Sequence, residues 1–157
     1  SVAAVFCKML PYDGTPIKEM LMAQGRFNGD VCNPDYDFLD PRIARCYEAI
    51  GRTVGEWVRG SDCVAAMINH AWHEVFVMER LFEPAADLVA YKTALSAVTK
   101  FSNDILFSVV EEICDGFREG GGECQQYSGL GQIREQILAT LVQQRNRFVY
   151  DPRTAAP

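Results

Sequence analysis

The sequence predicts an all-α fold: a compact bundle of about five main helices around a central apolar helix at 61–81, entered through an irregular N-terminal arm. Three observations carry that expectation. From Asp40 onward, apolar residues recur at the three- and four-residue spacing of helix faces. Capping residues and glycines punctuate these stretches where helices should begin and end. Nowhere do apolar and polar residues alternate over a run long enough to suggest a sheet. At 157 residues, with 48% hydrophobic content, the chain can bury one real core.

Residues 1–40 form the arm. Its apolar start, residues 2–10, runs into the turn-forming Pro11-Tyr12-Asp13-Gly14. Thr15-Pro16 then offers an N-cap and a first-turn proline for a short helix over 17–24, ended by Gly25. Asn28-Gly29-Asp30 and Asn33-Pro34-Asp35-Tyr36-Asp37 read as loop. The bundle follows over 41–150, with 151–157 as a tail.

Asp40-Pro41 opens the first bundle helix, on which Ile43, Cys46, Tyr47, Ile50, Val54, Trp57 and Val58 line one side. Gly51 and Gly55 weaken it by about 1 kcal/mol each against alanine and predict another backbone drawn close. Gly60-Ser61 ends that helix and caps the next, 62–81, which is apolar almost all round and therefore central. Three amphipathic helices follow, over 84–101, 103–118 and 130–149. Gly120-Gly121-Gly122 separates the last two, since glycine continues a helix poorly.

Net charge is −6, from 15 basic and 21 acidic side chains, and no stretch is strongly basic. Binding to nucleic acid or to an anionic membrane by phosphate neutralisation is not expected. No apolar run approaches the ~18 residues of a membrane span. The chain begins Ser-Val-Ala-Ala, which reads as a processed protein or a piece of a longer one.

The six cysteines, Cys7, Cys32, Cys46, Cys63, Cys114 and Cys124, point two ways. Fully paired, they would make a secreted, disulfide-stapled helical bundle of cytokine-like shape. However, Cys46, Cys63 and Cys114 fall on apolar faces, where a thiol behaves as a small hydrophobe, and no Asn-x-Ser/Thr site occurs. The expectation is therefore an intracellular protein, in cytoplasm or nucleus, with reduced cysteines.

Both histidines lie in His70-Ala71-Trp72-His73-Glu74, so histidine chemistry has one address. His70, His73 and Glu74 share a helix face and are the metal-ligand candidates, but their order matches no metalloprotease motif. A solvent stripe, continued by Asn69 and Arg80, explains them more simply. The run Asp30, Asn33, Asp35, Asp37, Asp40 fails as an EF-hand because Phe38 replaces the required glycine and Ala44 the glutamate, so caps and turns account for it. The glycines near 120–122 and Gly129-Leu130-Gly131 lack the lysine of a phosphate loop. Cys124 has no local base or cation to activate it. Arg145, Arg147 and Arg153 suit the negative end of the last helix.

No catalytic residue, metal or cofactor is therefore expected, and the sequence reads as a non-enzymatic interaction or assembly domain, part of a larger structural or regulatory protein. The expected partner is a protein, chiefly a second copy, met through Leu88, Tyr91 and Leu95 on one stripe and Ile133, Ile137 and Leu141 on another. A carrier of small apolar ligands is the further alternative, its pocket lined by Met67, Trp72, Phe76 and Met78.

Overall fold

In the computed structural model, which describes residues 2–81, 88–120, 127 and 129–148, Asp40 decides where the bundle begins. Its carboxylate accepts the Arg42 N–H at 2.8 Å, and Pro41 occupies the first turn of helix α2, Pro41–Val58. The shorter α1, Pro16–Ala23, precedes it; α3, Val64–Leu81, α4, Leu88–Arg118, and α5, Leu130–Phe148, follow. The chain is all-α: among the described residues the β-structure amounts to one isolated bridge, Phe27 to Tyr36.

Two caps differ from expectation. Thr15 turns its hydroxyl back to the Tyr12 carbonyl, at 2.6 Å, and makes no side-chain cap to α1. At the start of α3 the cap is the sulfur of Cys63, which accepts the Ala66 N–H at 3.3 Å, so the helix begins at Val64 rather than behind Ser61. A buried thiol is a weak acceptor, but it suits an apolar site better than serine would.

The larger difference lies at residues 101–103, where the expected break between two helices is absent. Helix α4 runs unbroken for 31 residues. Ser102 and Asn103, which favour caps when their side chains fold back on the local backbone, make tertiary bonds instead. The Ser102 hydroxyl accepts from Trp57 Nε1 at 3.0 Å, and the Asn103 amide holds the N-terminal arm. One turn earlier, Thr99 accepts from Trp72 Nε1 at 3.0 Å and donates to the Leu95 carbonyl. Helix α4 thus takes one indole from α2 and one from α3.

Around that clasp the core gathers Trp57, Val64, Ile68, Val75, Leu106, Ile113, Ile137 and Leu141, all buried. Helices α3 and α4 each touch the other three bundle helices, so the expected central place of α3 is shared with α4, which contributes the longest buried face. The glycines of α2 do not mark a close approach. Among the described residues, a methyl added at Gly55 would meet nothing within 4 Å, and one at Gly51 only the far end of Arg59. Among the described glycines the crowded one is Gly29, where a Cβ would collide with the Asp35 nitrogen across the hairpin-like loop.

The arm is irregular but fastened. Ala4 N–H donates to Asn103 Oδ1 at 2.8 Å, and Phe6 meets Phe107 edge-on, with ring centroids 5.5 Å apart. Two residues of extended chain rise about 6.7 Å. One helical turn, from 103 to 107, rises about 6 Å. Residues 4–6 therefore run extended along α4. Further on, Lys8 donates its N–H to the Tyr47 hydroxyl and places its ammonium against Asp35, the Tyr36 carbonyl and the faces of Tyr36 and Phe38.

Candidate functional site

The two apolar stripes singled out in the sequence face each other. Tyr91 and Leu95 of α4 are fully buried, and Ile137 and Leu141 of α5 nearly so; Leu88 and Ile133 are half-buried beside them. Tyr91, Leu95, Ile137 and Leu141 belong to the shared core of α4 and α5, with Ile133 packed against it, so these side chains face the bundle's own interior. The reason is α4's length: a 31-residue helix gives α5 a continuous face to lie on.

Nor do Met67, Trp72, Phe76 and Met78 converge on a pocket. Met67 faces α5, Trp72 reaches across to Thr99, Phe76 is half exposed under the Arg80 guanidinium, and Met78 is half-buried. Spacings of five, four and two residues scatter them around the helix.

His70 and His73 are exposed, and His73 stacks on Phe76 at 6.3 Å. The carboxylate of Glu74 is engaged by Arg145 of α5 in a forked ion pair, at 2.7 and 2.9 Å to one oxygen and 3.1 Å to the other. The three metal-ligand candidates are thus divided between solvent and a guanidinium. Among the described residues no three His, Cys, Asp or Glu side chains gather at one point. Arg145 serves α3 as well as the end of its own helix, and Arg147 lies over the Phe148 ring. Arg153, Cys124 and the glycines at 121–122 fall outside the described residues.

Three carboxylates of the acidic run are engaged in a turn, an ion pair and a cap. Asp30 accepts from the N–H groups of Cys32 and Asn33 in a turn, Asp35 pairs with Lys8, and Asp40 caps α2. The Asp37 carbonyl takes the Arg26 guanidinium. Hydrogen bonding to Lys8 holds the Asp35 carboxyl below its ordinary range, and Arg42 does the same for Asp40.

A cleft of about 270 Å³ lies between α3 and α5, lined by Met67, Ala71, Leu141, Val142 and the Glu74–Arg145 pair. Beneath it the Tyr91 hydroxyl is buried with no hydrogen-bond partner among the described residues. Burial pushes its pKa up to about 12, with Glu74 adding to the shift and Arg145 opposing it. Sequence reading missed this group because a tyrosine on an apolar stripe reads as an apolar residue.

The outer side of the arm's first residues is exposed. Along residues 2–12 the inward side chains Ala3, Phe6, Lys8 and Pro11 alternate with the exposed Val5, Cys7, Met9 and Tyr12. The N–H groups of Val5, Phe6, Cys7 and Met9 donate to no group among the described residues. Met20 and Met22 of α1 are exposed as well. No described helix is long and apolar enough to cross a membrane. Compared with protein-family models, with curated proteins and with solved structures, the chain matches none.

Proposed function

We propose that this chain is a non-enzymatic assembly domain that self-associates, acting inside the cell as part of a larger structural or regulatory protein. One observation carries the reading: the first residues of the arm, 2–12, form a non-helical segment with its inner face clamped to α4 and its outer face apolar, its backbone donors at Val5 to Cys7 unoccupied among the described residues. Such a segment supports pairing with another extended segment through backbone hydrogen bonds, with methionine adapting to the surface it meets. The seam of Leu88, Tyr91, Leu95, Ile133, Ile137 and Leu141 gives way to the arm as the contact surface. The reduced, intracellular setting is supported by Cys63, whose sulfur is enclosed in the core as a helix cap.

The test is sedimentation equilibrium of the full chain beside the double variant Val5→Asp, Met9→Asp. The expected result is a concentration-dependent dimer or higher species for the native chain and a monomer of unchanged circular dichroism for the variant. A native chain that stays monomeric across the accessible concentration range overturns the reading.

A further inference from the structure

Helices α2 and α4 meet at a point where two thiols touch. The sulfurs of Cys46 and Cys114 lie 3.8 Å apart, 68 residues distant in sequence. A disulfide bond is about 2.05 Å long, so bonding requires the sulfurs to approach by less than ~2 Å. Both side chains are half-buried, and both line an open groove of about 500 Å³ with Ile43, Phe117, Arg42 and Arg118. A small molecule can therefore reach them. Their surroundings differ from those of the other described cysteines: Cys63 is sealed in the core, while Cys7 and Cys32 are exposed.

We propose that Cys46 and Cys114 form a reversible dithiol–disulfide site whose oxidant is a small-molecule disulfide of the glutathione type. The thiolate of one cysteine attacks a sulfur of the disulfide, forming a mixed disulfide and expelling one thiolate, which takes up a proton. The second cysteine, giving up its proton, attacks the protein-side sulfur of that mixed disulfide and expels the second thiolate. The protein loses two electrons and two protons, and one small disulfide becomes two thiols. Excess thiol reverses both steps. The product pins α2 to α4 and closes a long loop, which restricts the unfolded chain.

The experiment equilibrates the full native chain in oxidised and in reduced glutathione buffer, quenches it with an alkylating agent and maps the peptides by mass spectrometry. The expected result in the oxidised buffer is a Cys46–Cys114 linked peptide, absent in the reduced one, while Cys7 and Cys32 carry glutathione. The thermal midpoint should rise on oxidation by on the order of 5–10 °C. The variant Cys114→Ser should lose that rise and leave a glutathione adduct on Cys46. The proposal is overturned if Cys46 and Cys114 remain separately alkylated under conditions that glutathionylate Cys7, or if either links to a different cysteine instead.

Discussion

In the bundle, Ile68, Tyr91, Leu95 and Leu106 are sealed from solvent and join helices through apolar contact. The arm over residues 2–40 is fastened to the same helices largely by polar clamps, Asn103 on residues 2 and 4 and Tyr47 on residue 8. Both regions carry many large apolar residues, but the bundle buries a continuous set of them while the arm leaves most of its own exposed. Apolar content alone therefore does not say which segment makes the core. Periodicity does, and in the arm the inward positions hold alanine and lysine as often as a large hydrophobe.

Mutations can separate the two regimes. The largest effect is expected from Leu95→Ala, a cavity in a fully buried site, at about 2–5 kcal/mol by chemical denaturation. A loss under ~1 kcal/mol there would mean that the α4–α5 seam is not the core. Ser102→Ala leaves the buried Trp57 indole N–H without its acceptor and should cost about 1–3 kcal/mol.

Asn103→Ala should cost less, about 1 kcal/mol, since it removes two half-exposed bonds to the arm. Its signature is local: faster hydrogen exchange over residues 3–9 with the bundle amides unchanged. Slowed folding or faster exchange throughout would show that arm and bundle are one cooperative unit.

Two smaller effects sharpen the contrast through ionisation. Tyr91→Phe deletes a buried hydroxyl that has no partner among the described residues, so stability should stay level or rise by up to ~1 kcal/mol. Because the folded state raises the Tyr91 pKa, stability is complete below the ordinary value of 10.0 and falls as pH climbs toward about 12. The variant should resist alkaline unfolding better than the native chain; equal sensitivity would mean that the hydroxyl is solvated. In the arm, Asp35 is held below its ordinary value of 3.8 by Lys8, so its contribution is present above that pH and fades as pH falls. Asp35→Asn should flatten the acid limb of the stability curve slightly, and an unaltered limb would show the Lys8 pair to be inert.

The parts legible in the sequence were those set by local chemistry. The pair Asp40-Pro41 marks the start of α2 because cap and first turn lie within three residues. The amphipathic stripes of α4 and α5 were also legible as stripes, but their destination depended on whether α4 breaks at Ser102. Serine and asparagine there have one local meaning and one tertiary meaning, and only the positions of Trp57 and Ala4 choose between them. The contact of Cys46 with Cys114 was out of reach for the same reason, since it depends on how two distant helices register. The apolar start of the arm, residues 2–10, shows no faces in the sequence because its inner and outer sides differ by the bundle they lie on, not by hydrophobicity.

The chain has two tryptophans, and both donate to hydroxyls of α4 three residues apart. Trp57 is buried and Trp72 half-buried, so their emission should differ in colour and in accessibility to quenchers. A slide or rotation of α4 would strip both indoles of their acceptors together, whereas a motion of α2 or α3 alone would disturb one. The molecule thus carries a two-channel optical gauge of its longest helix, readable without any label.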